Sequence, residues 1–183
     1  TSGMTAEIVY TSRTGNTELL AEEIRKLAES LPGPDRNVLV RKLGEPEKNG
    51  LESDGPAERG DWIFAGFWVD RGDCGGEMIR FLESLRGQRV FLFATAGSGN
   101  PDYQEKVMNR VLSHVDASNQ VAGTFMCQGK MLPGVRGKYE AILQREPESE
   151  QAKARIRNFD RALSHPDQED LEALRAAVRR AFV

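Results

Sequence analysis

The length, charge and composition of the chain exclude several classes of protein. Its 183 residues carry 25 basic and 28 acidic side chains, a formal net charge of -3, whereas nucleic-acid-binding domains are usually strongly basic. No apolar run approaches the ~20 residues of a membrane span, and no secretory signal is visible. Two cysteines are too few for a disulfide framework. We therefore expect a cytoplasmic protein with a single domain over residues 4–183, and we set residues 1–3 aside as an expression remnant.

The first predicted unit is a strand, a tight turn and a helix between Ala6 and Leu31. An apolar run that begins at Ala6 predicts the strand. Apolar residues then recur at steps of three and four, which is the spacing of one buried helical face. The residues on this face are Leu20, Ile24, Leu27 and Leu31.

Strands and helices then alternate along the chain. We predict further strands at residues 37–42, 61–66, 89–96 and 120–127, and helices at 77–85 and 103–115. Residues 44–60, rich in Glu, Pro, Gly and Asp, predict a surface connection. This alternation favours parallel pairing with right-handed crossovers. The five strands therefore fit a doubly wound α/β fold of order 2-1-3-4-5, with three layers α/β/α.

The tail from Gln128 to Val183 is long for such a sheet and predicts an extended helical segment. Its helices are expected at 139–145 and 150–162. The run Ser164-His165-Pro166-Asp167 predicts the start of a last helix, with Pro at an early position and a capping-box pattern. One face of that helix is apolar and should pack on the sheet. Residues 129–138 carry three basic side chains and are predicted to form a loop. This loop either contacts a partner or is a solvated surface.

The turn at residues 12–17 has the chemistry of a phosphate-binding loop. The first N–H groups of a helix lack intrahelical partners, and the helix dipole attracts anions to them. No lysine follows the glycine, which excludes the triphosphate loop, and the three-glycine dinucleotide fingerprint is absent. Many neutral donors suit a terminal monophosphate, whereas simple capping of the helix is the alternative. The groups concerned are Ser12, Thr14, Gly15, Asn16 and Thr17.

The same hexapeptide, Ser12-Arg13-Thr14-Gly15-Asn16-Thr17, resembles the FMN phosphate loop of flavodoxins. The family pattern is Thr/Ser-x-Thr-Gly-Asn-Thr, and Arg13 takes its variable position. The resemblance covers most of the chain and weakens after about Gln128. It implies FMN as cofactor and electron transfer between redox partner proteins as function. An FMN-dependent reductase or oxidase acting on a quinone or a tetrapyrrole is the alternative, and a module that has lost its cofactor is a third.

Two further loops should join the phosphate loop, because ligands of such sheets bind at the carboxyl ends of the strands near the switch point. The loop after the third strand supplies Phe67, Trp68, Val69, Asp70, Arg71 and Gly72. The loop after the fourth supplies Thr95, Ala96, Gly97, Ser98, Gly99 and Tyr103.

The resemblance implies roles for three of these side chains. Trp68 is expected either as a wall of the flavin ring or as a core residue. Arg71 would stabilise negative charge on the reduced flavin, unless it is a solvated surface arginine. Tyr103 would stack on the outer face of the ring, or else cover its own loop.

No catalytic or metal-ligating set is predicted. The two histidines, His114 and His165, are isolated in the sequence. The two cysteines, Cys74 and Cys127, lack metal-ligand spacing, although Cys74 falls within the second loop region, where it could be exposed.

Overall fold

One parallel sheet organises the chain. The computed structural model describes residues 5–31, 37–44 and 61–182. Within this range five strands pair in the order β2-β1-β3-β4-β5, all in parallel, which confirms the predicted fold. The strands are β1 (Thr5–Tyr10), β2 (Asn37–Lys42), β3 (Trp62–Trp68), β4 (Arg89–Ala96) and β5 (Gln120–Gln128).

Helices cover both faces of the sheet, and three of them follow its last strand. They are α1 (Asn16–Ser30), α2 (Gly76–Glu83), α3 (Pro101–Leu112), α4 (Pro133–Arg145), α5 (Glu150–Ala162) and α6 (Gln168–Ala181). The apolar side chains of α1 and α6 pack on one face, where they meet Phe64, Phe91 and Phe93. Those of α2 and α3 pack on the other, against Ile63 and Phe67. Helices α4 and α5 pack against each other.

The last helix packs on the sheet as its pattern predicts. Leu171, Leu174 and Val178 are buried in the core that α6 shares with α1. Phe182, just past the helix, packs its ring centroid 4.6 Å from that of Trp62. The N-cap is Asp167, which accepts a hydrogen bond from the Asp170 backbone N–H and completes a capping box. The helix therefore begins at Gln168, after the predicted start at residues 164–167.

Several predicted boundaries differ from the observed ones. Strand β3 continues to Trp68, because Phe67 and Trp68 still pair with β4. Helix α3 begins at Pro101 rather than residue 103, since the Asn100 side chain caps it. Helix α4 begins at Pro133 rather than residue 139, so part of the predicted basic loop is helical. Leu31 lies beyond the end of α1.

The predicted connection at residues 44–60 lies outside the described residues except for Gly44.

Close packing between β3 and β4 makes the glycine at position 66 essential. A Cβ atom there would lie 2.1–2.8 Å from three ring atoms of the fully buried Phe93. Gly66→Ala should therefore lower the free energy of unfolding by about 1–3 kcal/mol, the usual cost of overpacking. Gly137→Ala is the control, because that exposed helical glycine has no atom within 4 Å of the added Cβ and should gain up to about 1 kcal/mol. Urea unfolding measures both, and equal stabilities would contradict the prediction.

Candidate functional site

The phosphate loop lies at the carboxyl edge of the sheet, between the ends of β1, β3 and β4. The hydroxyl of Thr17, in the first turn of α1, lies 3.1 Å from that of Thr95 at the end of β4, and both side chains are buried. The backbone N–H of Val69 donates to the Thr95 carbonyl at 2.9 Å. The Thr11 N–H donates to the Gly66 carbonyl at the same distance. The three predicted loops therefore leave the sheet side by side.

The N-terminus of α1 opens toward this edge without a side-chain cap of its own. The N-cap residue is Gly15, which takes a left-handed φ of 87° and has no side chain to satisfy the first N–H groups. The Ser12 hydroxyl instead accepts a hydrogen bond from the Gly15 N–H at 3.1 Å, which closes the turn behind it. The first turn thus offers unsatisfied donors at the positive end of the helix dipole.

A buried hydroxyl next to the loop also lacks a partner. In the described part of the chain, no group forms a hydrogen bond with Thr11 Oγ1, although this atom is inaccessible to solvent. An unpaired buried hydroxyl is costly, so it favours a polar ligand at this point. Donors of this kind fit the phosphate and hydroxyl groups of FMN.

Two cavities adjoin the loop and meet at Arg13 and Trp68. The smaller, of about 200 Å³, lies between Thr14, the ends of β3 and β4, and residues 129–132. The larger, of about 470 Å³, runs past Thr11 and Lys42 toward the start of α2. The Arg13 guanidinium lies 5.6 Å from the centre of the Trp68 ring, a cation–π contact that forms the partition between the cavities.

The residues predicted for the second and third loops fall into three groups. Those that line the cavities are Trp68, Val69, Asp70, Thr95, Ala96 and Gly97. Phe67 differs from its prediction, because its side chain is wholly buried in the core on the α2 side of the sheet.

The remaining loop residues lie outside the cavity linings. Arg71 and Gly72 form the tip of a turn between Asp70 and Asp73, where Arg71 is exposed and Gly72 is half-buried. Ser98 and Gly99 belong to the turn that precedes α3. Tyr103 stands in the first turn of that helix with 39% of its surface exposed.

The sequence analysis missed the contribution of the segment after β5. Residues 129–132 line the smaller cavity, and the Lys130 carbonyl accepts a hydrogen bond from the Asn16 side chain at 2.8 Å. The other loops were predicted from the rule that ligands bind at the carboxyl ends of the strands. The same rule applies to the end of β5. Applied there, it would have indicated these residues.

The second loop also contacts a histidine that follows α3. The His114 ring Nε2 lies 3.1 Å from Asp73 Oδ1, so this histidine is not isolated as its sequence context indicated. Burial raises the pKa of the Asp73 carboxyl, but hydrogen bonds from the Cys74 N–H and His114 outweigh it and hold that pKa below its ordinary value. The other histidine, His165, lies 2.7 Å from Asp170 in the α6 cap.

Cys74 is buried rather than exposed, although it lines the larger cavity. Burial, followed by the negative charge of Asp73, raises the pKa of its thiol to about 12. It is therefore protonated at neutral pH and is a poor nucleophile.

With this geometry established, comparison with known families identifies the class of protein. The model of the flavodoxin domain family matches residues 7–179, so the chain belongs to that family. FMN is the cofactor of this family. The uncapped α1 N-terminus fits it, as does the Thr11 hydroxyl, which has no hydrogen-bond partner among the described residues.

Among characterised relatives, the chain is similar to two flavodoxin-like domain-containing proteins named BilS. It is 32% identical over 175 residues to that of Clostridium symbiosum (strain WAL-14163), covering 91% of this chain and 90% of the relative. It is 29% identical over 170 residues to that of Clostridioides difficile (strain CD3), covering 92% and 90% respectively.

Two solved structures share the fold. Oxidised flavodoxin 2 from Bacillus cereus has a TM-score of 0.55 at 15% identity, with 97% of each chain covered. The flavodoxin of Streptococcus pneumonia TIGR4 has a TM-score of 0.53 at 18% identity, again over 97% of each chain. Among the described residues, no helix has both the length and the apolar character needed to cross a membrane.

The raised pKa of the Cys74 thiol predicts low reactivity. At pH 8 a thiol with a pKa of about 12 carries roughly a thousandfold less thiolate than an ordinary cysteine. In the Cys127→Ser variant, Ellman's reagent should therefore react with the remaining thiol about a thousandfold faster in denaturant than in the folded protein. Equal rates in the two conditions would show that Cys74 is accessible and ionisable.

Proposed function

We propose that the protein binds FMN and carries electrons between redox partner proteins. The observation that carries this proposal is the N-terminus of α1, which begins at an uncapped glycine among hydroxyl side chains. It opens beside a cavity that has an aromatic wall. This combination suits a ligand with a phosphate at one end and a flat ring at the other.

In this proposal the phosphate binds at residues 12–17. The N–H groups of the first turn of α1 and the hydroxyls of Ser12 and Thr14 would donate to its oxygens. The buried Thr11 hydroxyl, which lacks a partner in the described part of the chain, would gain one from the ligand. The Thr17 hydroxyl is instead hydrogen-bonded to that of Thr95, which holds the loop in place.

The flat ring would lie against Trp68 and the strand ends at Thr95 and Gly97, which line the smaller cavity. Bound FMN accepts and donates one or two electrons, and the protein contributes binding, orientation and exclusion of water. Arg71 and Tyr103 stand outside the cavity linings. Arg71 would contribute a positive charge at the rim, and Tyr103 would cover its own loop, so neither would contact the ring.

A second candidate function is that of an FMN-dependent oxidoreductase acting on a small molecule. The larger cavity favours it, because its volume of about 470 Å³ adjoins Trp68 and its lining combines the basic Arg13 and Lys42 with the acidic Asp70 and Glu77. Such a cavity suits a planar substrate with polar substituents. Quinones and tetrapyrroles are the candidate substrates to test.

Reduction of the FMN-loaded protein distinguishes the two functions. For a carrier, NADPH alone should leave the visible flavin absorbance unchanged, because a separate protein must supply the electrons. A catalytic amount of a flavodoxin reductase should then bleach it. Rapid bleaching by NADPH alone, or steady turnover of an added quinone without the reductase, would contradict the carrier function and support the enzyme.

The phosphate site is tested by Thr14→Val. This change removes one donor to an anionic group and should weaken FMN binding about tenfold, which corresponds to about 1.4 kcal/mol. Thr124→Val on β5 makes the same substitution at an exposed position away from the loop and is the matched control. Titration with FMN, followed by visible absorbance, gives both affinities. Equal weakening in the two variants would count against a phosphate contact at Thr14.

A further inference from the structure

The segment that follows β5 is held against the phosphate loop. The Gly129 N–H donates to the Ala96 carbonyl at 2.8 Å, which continues the pairing of β4 with β5 beyond the strand ends. The Asn16 side chain then donates to the Lys130 carbonyl at 2.8 Å. A Cβ atom on Gly129 would lie 2.6 Å from the Asn16 side-chain nitrogen, so a larger residue here would displace the Asn16 side chain.

The same segment packs on the third loop. A Cβ atom on Gly97 would lie 2.6 Å from the Met131 sulfur, which shows that the thioether rests on the bare face of this glycine. Both residues line the smaller cavity, as does Leu132. Methionine is flexible and polarisable and packs favourably against aromatic rings. It is therefore suited to cover a flat ligand.

Asn158, on α5, joins this arrangement from outside the cavity. Its side-chain nitrogen donates to the Gly97 carbonyl at 3.0 Å, and the Gln128 side chain donates to the same carbonyl at 2.9 Å. Its side-chain oxygen accepts from the Gln128 amide at 3.0 Å and from the Gly99 N–H at 3.4 Å. One side chain thus orients both the third loop and the residue that leads into the segment after β5.

We infer that residues 129–132 form the outer wall of the flavin cavity, and that Asn158 is the positioning residue that holds Gly97 against this wall. The inference rests on the proposed FMN site and deepens it. It moves the outer cover of the ring from Tyr103 to Met131, because Met131 lines the cavity and Tyr103 does not. It also gives the C-terminal helices a role in cofactor binding.

The test compares two asparagine variants. Asn158→Ala removes a donor to Gly97 and the acceptor that orients Gln128. Asn119→Ala is the matched control, because Asn119 also joins two connections of the chain. Its side chain, just before β5, accepts from the Gln88 N–H at 2.9 Å and donates to the Leu85 carbonyl at 2.9 Å, both between α2 and β4. These connections lie at the opposite edge of the sheet, where β4 and β5 begin.

The expected result is a selective loss of FMN affinity. The dissociation constant for FMN should rise about tenfold in Asn158→Ala, as loss of one or two hydrogen bonds that position a binding loop predicts. It should change less than twofold in Asn119→Ala, whereas both variants should lose thermal stability without FMN. Equal dissociation constants in the two variants, with wild-type affinity, would overturn the inference and leave the proposed function standing. Failure of the wild-type protein to bind FMN would overturn the proposed function itself.

Met131→Ala provides an independent measurement if Asn158→Ala does not fold. Removal of the thioether should open the outer face of the ring to water and shift the visible absorbance bands of bound FMN toward those of free FMN. Tyr103→Ala is its control and should leave the bands unchanged. A shift in the tyrosine variant alone would overturn the assignment of the outer wall.

Discussion

The buried hydroxyl pair of Thr17 and Thr95 is the contact on which the candidate site depends. It fixes the first turn of α1 to the end of β4, across the switch point of the sheet. Because one hydroxyl donates to the other, the helix N-terminus is held in place without using its own N–H groups. Gly15, which has no side chain, then leaves those groups available to an anion. A side-chain cap at this position would stabilise the helix but would compete with a phosphate for the same donors.

The site is assembled by four chain segments that are distant in sequence. The phosphate loop and the ends of β3 and β4 supply the donors and the aromatic wall. The segment after β5 lines the smaller cavity and is hydrogen-bonded to the phosphate loop through Asn16. The preceding residue, Gln128, is joined to the third loop through Asn158. The long C-terminal extension therefore does more than cover the sheet. Helix α6 packs into the core shared with α1, and α5 contacts the rim of the cavity through Asn158.

The sequence predicted the sheet well, because buried parallel strands are nearly continuous apolar runs. The observed bounds of β2, β4 and α5 agree with prediction, and the phosphate loop could be located because its residue types repeat a known pattern. Phe67 and Trp68 were misplaced in a loop because a strand end is set by pairing with its neighbour, which the local sequence does not contain. Met131 and Asn158 were missed for a related reason: their contacts with Gly97 join residues far apart in the chain. Stacking of Tyr103 was implied by the family resemblance alone, whereas the Asn100 cap places this residue in the first turn of α3, outside the cavity linings.

The central claim is that the α1 N-terminus binds the phosphate of FMN, and paired titrations with FMN and riboflavin test it most directly. The two ligands share the ring and the ribityl chain and differ in the phosphate alone. We predict tight binding of FMN and binding of riboflavin at least a hundredfold weaker, since loss of an anion from several donors corresponds to about 2.7 kcal/mol or more. Equal affinities would contradict a phosphate site at residues 12–17, and the uncapped N-terminus would then have no ligand to explain it.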